Sequence, residues 1–381
     1  MSTVVDQRFM AIALALAQRG LGTVWPNPAV GCVIVRDGMV VGRGWTQPGG
    51  RPHAETEALT RAGTSARGAT AYVTLEPCNH YGKTPPCTEA LIDAGIARCV
   101  VACGDPDPRV SGSGIARLRA VGIETVLGPG TNEARALNQG FFLKVERSRP
   151  LVTLKLATSL DGRIATHTGH SQWITGATAR AWGHGLRARH DAILVGVGTA
   201  IADNPELTCR LPGLADRSPL RVVADSRLSL SLTSNLVRDA HRLPLWVVCR
   251  SDADKSRIKA FRACGVDLLP LDHGAPGTIS AAALLAALAA RGITRVLVEG
   301  GSRLAGSLFA AGLVDRLEWF RAPLLIGGDG LAAVSGFGVD TLNLAATFDC
   351  IGVRRAGDDL WESFVPRDNG LGLCFDRANP L

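Results

Sequence analysis

The stretch TLEPCNHYGKTPPC, residues 74–87, decides how the amino-terminal part of this chain is interpreted. Its two cysteines, Cys78 and Cys87, are separated by eight residues, and a proline precedes each of them. His80 lies between the two cysteines. A disulfide loop, a proline-rich turn and a metal site all fit this stretch taken alone. The choice between them therefore depends on which other residues this part of the chain offers.

A second segment, RPHAETEA at residues 51–58, supplies a further metal-binding side chain. Its proline suits the first turn of a helix, so we expect His53 and Glu55 to open one. His53, Cys78 and Cys87 then offer one imidazole and two thiolates to Zn²⁺, with a fourth position open for water, as in catalytic zinc sites. Zinc lowers the pKa of that water so that hydroxide is available at neutral pH. Glu55 is placed to move the proton.

The order H-x-E, then Pro-Cys and a second cysteine, is the signature of zinc-dependent nucleobase deaminases, in which two residues separate the cysteines. One alternative is that Cys78 and Cys87 are core thiols beside an ordinary surface His-Glu pair. Another is a structural zinc site with His80 as fourth ligand. The Gly/Pro-containing loop around His80 suits substrate contact better. A disulfide is not expected in a cytosolic protein.

Composition places the chain among globular proteins. It has 381 residues, 46% hydrophobic and 20% charged, a length that suggests two domains. No apolar run approaches the roughly 18 residues of a membrane span. A net charge of +7 permits nucleic acid as a partner, but a small phosphorylated substrate accounts for it as well.

The amino terminus bears on localisation. FMAIALALA, residues 9–17, follows Arg8 and faintly resembles a signal peptide. However, Asp6 lies in the region that should be basic, and Phe9 and Leu16 fall at the spacing of an amphipathic helix. We therefore expect a cytoplasmic protein with no membrane partner.

Helices and strands alternate along the whole chain, which predicts α/β architecture. The pattern predicts a hairpin turn at Asp37-Gly38 and a helix that ends at Gly63. A boundary is expected near Arg147 to Pro150. The predicted division is residues 1–147 as a first domain, 148–366 as a second domain and 367–381 as a loose tail.

The amino-terminal motifs resemble the deaminase half of the bifunctional riboflavin-biosynthesis deaminase/reductase family. They are NPAVGCVIV at 27–35, HAETEAL at 53–59 and the stretch at 74–87. This half has a cytidine-deaminase-like, three-layer α/β/α fold, and the family's long cysteine spacing accounts for the eight intervening residues. Asn79 stands where the family usually has serine. The resemblance implies that Asn27 lines the pyrimidine pocket.

The resemblance continues into a reductase half with a dihydrofolate-reductase-like α/β fold. Its motifs are LKLATSLDGRIA at 154–165, SQWITG at 171–176, LRARHDAILVGVGTAIADNPELTCR at 186–210 and VEGGSRLAGSL at 298–308. The last reads as a strand, a Gly-Gly turn and a helix, an arrangement whose backbone N–H groups can bind phosphate. No G-x-G-x-x-G fingerprint is present.

The resemblance also implies which residues bind ligands in the reductase half. NADPH contacts are expected from Ala157, Trp173, Thr199, Asp203, Ser226, Gly301, Ser302, Arg303, Leu304, Ala305, Gly306 and Ser307. Substrate contacts are expected from Lys155, Ser171, Arg187, Leu207, Arg210 and Glu299. Arginine pairs well with phosphate, although solvated arginines are common, and Lys155 either polarises the sugar carbon or is a structural strand lysine.

The implied activity has two steps. The first is zinc-dependent hydrolytic deamination of 2,5-diamino-6-ribosylamino-4(3H)-pyrimidinone 5′-phosphate. The second is NADPH-dependent reduction of the ribosyl chain to give 5-amino-6-(5-phospho-D-ribitylamino)uracil. One Zn²⁺ per chain and a homodimer or larger assembly are expected. A tRNA base deaminase would share the zinc chemistry, but the reductase motifs and the lack of a basic stripe with interleaved aromatics argue against nucleic acid as a partner.

Overall fold

The computed structural model describes residues 4–272 and 279–367. These residues divide into two compact units, and the division falls between Ser148 and Arg149. All but the first residue of the predicted tail, 367–381, lies outside the described residues. Among the described residues, no helix combines the length and the apolar character that crossing a membrane requires.

The first unit is built on a five-stranded sheet in the order β2-β1-β3-β4-β5. Strand β1 pairs antiparallel with β2 and β3, and the remaining pairs are parallel. The strands are β1 Gly31–Arg36, β2 Met39–Trp45, β3 Thr70–Val73, β4 Arg98–Val101 and β5 Glu124–Leu127. The helices are α1 Val4–Ala17, α2 Ala54–Ala62, α3 Cys87–Asp93, α4 Ser113–Ala120, α5 Thr131–Leu137 and α6 Gln139–Arg147.

Two local predictions for this unit are confirmed and one is wrong. Asp37 and Gly38 form the β1–β2 turn with φ of 51° and 76°, and Gly63 ends α2 with φ of 54°. Pro52 is not in the first turn of a helix. Helix α2 begins only at Ala54, because the backbone of the preceding residue, His53, is extended (φ −71°, ψ 161°) and caps the helix.

Two glycines of β2 let α2 lie directly on the sheet. A Cβ added at Gly42 would come within 2.2 Å of the Ala58 carbonyl oxygen, and one at Gly44 within 2.2 Å of the Ala54 carbonyl oxygen. Backbone on both sides leaves no room for a side chain. Backbone contact therefore fixes the distance between the sheet and α2, whose first turn lies at the predicted zinc site.

The second unit contains a nine-stranded sheet in the order β11-β10-β9-β8-β12-β6-β13-β16-β15, and a two-stranded sheet of β14 and β7. The pairs from β11 to β13 are parallel, and β16 and β15 are antiparallel. The strands are β6 Leu151–Thr158, β7 Arg163–Ala165, β8 Ala192–Gly196, β9 Leu220–Ala224, β10 Leu245–Arg250, β11 Asp267–Leu271, β12 Arg295–Glu299, β13 Arg316–Arg321, β14 Leu331–Ala332, β15 Phe348–Ala356 and β16 Asp359–Pro366. The helices are α7 Ala177–Arg187, α8 Val197–Asp203, α9 Asn235–Arg238, α10 Lys255–Ala263, α11 Ala281–Ala290 and α12 Ser302–Ala310.

The sequence pattern predicted the buried strands of this sheet but not its last two strands. Strands β8, β9, β10 and β12 are almost wholly buried, so they read as continuous apolar runs. Strand β15, at the end of the sheet order, has mostly half-buried and exposed residues, and its polar and apolar side chains do not alternate regularly. A weak period-2 pattern gives little signal for a strand.

Candidate active sites

Three side chains of the first unit form a group that can hold a metal ion. His53 precedes α2, Cys87 is the first residue of α3, and Cys78 lies in the loop after β3. Their ligand atoms all lie within 4.8 Å of one another, and His53 Nδ1 is 3.3 Å from Cys87 Sγ and 3.6 Å from Cys78 Sγ. Tetrahedral zinc with ordinary Zn–N and Zn–S bonds separates nitrogen and sulfur by about 3.6 Å. The donor set therefore fits zinc.

The chain around Cys78 favours the thiolate form that binds metals. The backbone N–H of Cys87 donates to Cys78 Sγ at 3.3 Å, and the backbone N–H of Thr88 donates to the Cys78 carbonyl at 3.2 Å. Hydrogen bonding from the Cys87 thiol, followed by that from His53, lowers the pKa of Cys78 to about 4. The amino end of α3 thus holds the loop and stabilises its sulfur as an anion.

Glu55 is a buried carboxyl beside this group. Its exposed fraction is 4%, and it interacts with the Cys87 thiol. Burial raises the pKa of Glu55 to about 7. A carboxyl group that takes up and releases a proton near neutral pH suits general acid–base chemistry.

Asn27 and His80 were the substrate-contact predictions for this unit. The Asn27 side chain packs on Gly50, where an added Cβ would lie 1.8 Å from Asn27 Nδ2. His80 is half-buried, and its Nδ1 is buried without a hydrogen-bond partner among the described residues. It is not a member of the metal-binding group found in the described part of the chain. Substrate contact by both residues stays a prediction.

Sequence reasoning missed Glu76, two residues before Cys78. Its carboxylate, 3% exposed, accepts hydrogen bonds from backbone N–H groups of the segment that leads into α4. The donors are Gly112 at 3.0 Å, Gly114 at 2.9 Å, Ile115 at 3.2 Å and Asp105 at 3.4 Å. Glu76 therefore ties residues 105–115 to the strand end that carries the cysteine loop.

In the second unit, three of the predicted substrate residues meet around the carboxyl end of β12, the edge at which parallel α/β sheets bind their ligands. Lys155 on β6 is the register partner of Glu299 on β12, and Lys155 Nζ lies 3.9 Å from Glu299 Oε2. Arg187 at the end of α7 donates from Nε and Nη2 to the two Glu299 oxygens at 2.7 and 2.9 Å. The three side chains, 12% to 20% exposed, form one charged cluster.

The surroundings of this cluster shift the pKa values of Glu299 and Lys155 and supply a further hydrogen-bond acceptor for Arg187. Burial alone would raise the pKa of Glu299, but the Arg187 guanidinium beside it holds that pKa at about 2. Burial lowers the pKa of Lys155. Arg187 also donates from Nη1 to the Thr208 carbonyl at 2.9 Å. Its guanidinium is therefore engaged inside the protein, whereas the Arg210 side chain is 54% exposed.

The Gly-Gly turn after β12 faces the start of α8. A Cβ added at Gly300 would lie 3.0 Å from Thr199 Cγ2, and one at Gly301 would lie 3.3 Å from Thr199 Oγ1. Both glycines have positive φ, 71° and 90°, which favours glycine. Helix α12 begins at the next residue, and the backbone N–H groups of a helix's first turn can bind an anion. The residues fit the phosphates of a dinucleotide, and the six predicted contacts from Ser302 to Ser307 lie in this helix.

The other predicted contacts are more dispersed. Trp173 is 66% exposed, and the Arg180 guanidinium lies 4.6 Å from the centre of its ring. Ile174, the next residue in the sequence, is one of the residues that line a cavity of about 350 Å³. Leu207 is buried and has a φ of +59°. The remaining four lie on β6, before α7, at the end of α8 and after β9, and their roles stay predictions: Ala157, Ser171, Asp203 and Ser226.

Two family models match this chain. Residues 3–103 match the cytidine and deoxycytidylate deaminase zinc-binding region, and residues 150–361 match the RibD C-terminal domain. The riboflavin biosynthesis protein RibD of Bacillus amyloliquefaciens is 40% identical over 369 residues, which cover 97% of this chain and 98% of that protein. RibD of Escherichia coli (strain K12) is 42% identical over 371 residues, with 93% and 98% covered.

Solved structures resemble the chain over the same extent. RibD of Acinetobacter baumannii superposes with a TM-score of 0.85 at 37% identity, and covers 95% of this chain and 99% of that one. A diaminohydroxyphosphoribosylaminopyrimidine deaminase/5-amino-6-(5-phosphoribosylamino)uracil reductase of Thermotoga maritima has a TM-score of 0.83 at 35% identity, with the same coverage. The predicted fold class, a cytidine-deaminase-like α/β domain followed by an α/β reductase domain, is confirmed. The chain belongs to the RibD family of bifunctional riboflavin-biosynthesis enzymes, which join zinc-dependent deamination to NADPH-dependent reduction.

Proposed function

We propose that this chain carries out two consecutive reactions on one small phosphorylated aminopyrimidine, and that neither reaction involves nucleic acid. Residues 1–147 deaminate 2,5-diamino-6-ribosylamino-4(3H)-pyrimidinone 5′-phosphate. Residues 148–366 reduce the ribosylamino chain of the product and give 5-amino-6-(5-phospho-D-ribitylamino)uracil. The reactions named for the Thermotoga maritima relative support this pair of substrates. The observation that carries the proposal is the His53, Cys78 and Cys87 group with the buried Glu55 beside it.

In the deamination, the residues of the first unit bind the metal and move protons. His53, Cys78 and Cys87 would hold zinc, which would supply Lewis-acid chemistry by lowering the pKa of a water molecule at the site. The Glu55 carboxylate would take a proton from that water as its oxygen adds to the amino-bearing ring carbon, and would pass the proton to the neighbouring ring nitrogen. It would then move the remaining hydroxyl proton to the amino group, which leaves as ammonia while the carbon–oxygen bond becomes a carbonyl. Burial keeps Glu55 out of bulk solvent during these transfers.

In the reduction, the charged cluster of the second unit orients the sugar. NADPH, when bound, would supply the hydride for the imine carbon that forms when the ribosylamine ring opens, and the imine nitrogen would take a proton from water. The Lys155 ammonium donates a hydrogen bond to the sugar and polarises the reacting carbon, while the Glu299 carboxylate accepts from a sugar hydroxyl. Arg187 holds Glu299 in place through two hydrogen bonds. Arg210, more exposed than Arg187, binds the 5′-phosphate.

The proposal includes a homodimer or larger assembly. Within the described residues, β15 is the last strand of the nine-stranded sheet and pairs on one side only. Val353 on this strand is 56% exposed, and Leu342 and Leu344 in the segment before it are 92% and 65% exposed. Apolar side chains near an open strand edge favour a second copy of the chain. A solution mass of one chain, 39.9 kDa, by light scattering would contradict this part.

The experiment is a coupled assay of the full chain with the diaminopyrimidine substrate and NADPH. Ammonia release and NADPH oxidation are recorded for the wild type and for Glu55→Gln. We expect the variant to keep its zinc and to release ammonia roughly 10²- to 10⁴-fold more slowly, because it cannot transfer the proton. Addition of the deaminated substrate should restore NADPH oxidation. Ammonia release at the wild-type rate by the variant would refute the role of Glu55, and the absence of both signals in the wild type would refute the substrate.

A further inference from the structure

One histidine of α7 contacts three consecutive residues of the segment after α8. His184 Nδ1 lies 3.1 Å from the Thr208 carbonyl oxygen, and the backbone N–H of Arg210 donates to the same nitrogen at 3.3 Å. The Cys209 thiol donates to the His184 carbonyl at 3.4 Å. His184 lies one helical turn before Arg187, which also donates to the Thr208 carbonyl. Hydrogen bonds of the His184 and Arg187 side chains therefore connect helix α7 to residues 208–210.

The segment that contains residues 208–210 depends on these hydrogen bonds, because it has no regular secondary structure of its own. Residues 204–210 are neither helix nor strand, and Leu207 has a φ of +59°. A left-handed backbone is strained at a residue other than glycine. It persists only where neighbouring contacts determine it. The contacts from His184 and Arg187 begin at the residue immediately after Leu207.

We propose that His184 is a positioning residue of the reductase site, which fixes residues 207–210 so that Arg210 binds the substrate 5′-phosphate while Arg187 stays paired with Glu299. This inference rests on the proposed function of the second unit.

The division of labour between the two arginines explains why positioning matters. Arg187 is 15% exposed and is held by Glu299, whereas Arg210 is 54% exposed and pairs only loosely with Glu206 at 3.4 Å. A long exposed side chain binds a phosphate productively only if its backbone is fixed, since each free rotamer lowers the occupancy of the binding geometry. One hydrogen bond at His184 Nδ1, either from the Arg210 N–H or to the Thr208 carbonyl, fixes that backbone. The shared Thr208 carbonyl links it to the Arg187–Glu299 pair.

The chemistry of the imidazole suits this task. Burial, followed by the charges of Arg187 and Arg210, lowers the pKa of His184, so the ring is neutral at neutral pH. One tautomer of a neutral imidazole accepts at Nδ1 from Arg210, and the other donates from Nδ1 to Thr208. The carboxamide of asparagine places a donor or an acceptor near the position of Nδ1, so His184→Asn preserves either bond. His184→Phe keeps a ring and can make neither bond.

His190 provides a matched control. It follows the same helix and is 3% exposed, and its ring contacts the Leu186 carbonyl at 2.7 Å and the Thr153 hydroxyl at 2.9 Å. It contacts no residue of the 207–210 segment in the hydrogen bonds of the described structure. A change at His190 removes buried hydrogen bonds without removing a contact to the phosphate-binding segment.

The test measures steady-state NADPH oxidation by the full chain. The substrates are the deaminated ribosylaminopyrimidine 5′-phosphate and its dephosphorylated form. For His184→Phe and His184→Ala we expect KM for the phosphorylated substrate to rise about 10-fold, with kcat within about 3-fold of the wild type. His184→Asn and His190→Asn should stay within about 3-fold in KM. On the dephosphorylated substrate, kcat/KM should be the same for all variants, because the phosphate contact is absent.

Three results would overturn the inference. They are an unchanged KM in both the Phe and Ala variants, an equal loss of kcat/KM on the dephosphorylated substrate, and an equal rise in KM for His190→Asn. If Ala does not fold, Phe decides, because it retains the ring. If the wild type itself fails to oxidise NADPH with the phosphorylated substrate, the proposed function fails instead, and the two failures are distinguishable.

Discussion

The two candidate sites are built in different ways. The metal-binding group takes all its ligands from positions 53 to 87, and its donor atoms are complete without any other part of the chain. The charged cluster of the reductase draws on positions 155, 187 and 299, and Glu299 pairs with each of the other two. A metal centre is specified by which atoms it offers. A charged cluster depends on the backbone positions of common charged residues. A substitution in the cluster should therefore lower the reductase activity by degrees and not abolish it.

The largest expected effect removes a metal ligand. Cys78→Ser should lose bound zinc and slow ammonia release by about 10⁴-fold or more, because water without the metal has a pKa near 15.7 instead of about 7. NADPH oxidation with deaminated substrate should remain. Metal content and both activities are measured on the same preparation.

The matched control for this change is Cys99→Ser, the same substitution at a fully buried core cysteine of the same unit. It should lower stability and retain zinc. If Cys78→Ser kept its zinc, Cys78 would not be a required ligand. If it lost both activities together, the two sites would not be independent.

The second expected effect is on the reductase cluster. Glu299→Gln should lower kcat/KM for NADPH oxidation roughly 10²-fold and leave deamination unchanged, because it removes a charge-assisted contact to the substrate. It should also destabilise the second unit by about 3–5 kcal/mol, since Arg187 is left buried without its charge partner. Urea unfolding and steady-state kinetics measure the two effects.

Glu362→Gln is the control for the cluster. Glu362 accepts two hydrogen bonds from Arg321 at 3.0 and 2.9 Å within the same unit, outside the cluster. Its activity should stay near that of the wild type. An equal loss in both variants would mean that ion pairing in general, and not this cluster, supports the reduction.

The smallest expected effect concerns stability and pH. Burial, with Arg295 nearby, lowers the pKa of His190 to about 3. The ordinary value is about 6.5, so the unfolded chain takes up a proton below that pH and the folded chain does not. The free energy of unfolding is therefore not reduced by His190 above about pH 6.5. It falls by at most about 1.4 kcal/mol per pH unit as the pH drops from 6.5 toward 3.

His190→Asn should remove this slope. Between about pH 7.5 and pH 5, the wild type should lose about 2 kcal/mol more stability than the variant. Tryptophan fluorescence during urea unfolding is a suitable signal, because five of the seven tryptophans lie in the second unit. Equal losses in the two proteins would show that His190 does not titrate in this range on unfolding.

Sequence reasoning went further at the metal site than at the reductase site. The ligands and Glu55 follow from residue types and spacing, and the structure brings the three ligands together. The start of α2 was misplaced, because proline suits a helix's first turn and equally the extended chain before one. The pairing of Arg187 with Glu299 spans 112 positions, and no local pattern records it.

Glu76 and His184 were missed for one shared reason. Both act on backbone groups, Glu76 on N–H groups 29 to 39 positions away and His184 on groups 24 and 26 positions away. Every residue except proline has the same backbone donor and acceptor, so the recipient leaves no mark in the sequence. A carboxylate one residue before Pro-Cys was the one available signal for Glu76.

The hydrogen bonds of Glu76 also bear on how residues 105–115 and the cysteine loop move. One buried carboxylate accepts from four backbone amides, so movement of this shared anchor would release all four together. In hydrogen exchange, the amide protons of Gly112, Gly114 and Ile115 should therefore exchange with solvent together, as one cooperative group. Because Glu76 is two residues from Cys78, their common exchange rate reports how often the cysteine loop opens.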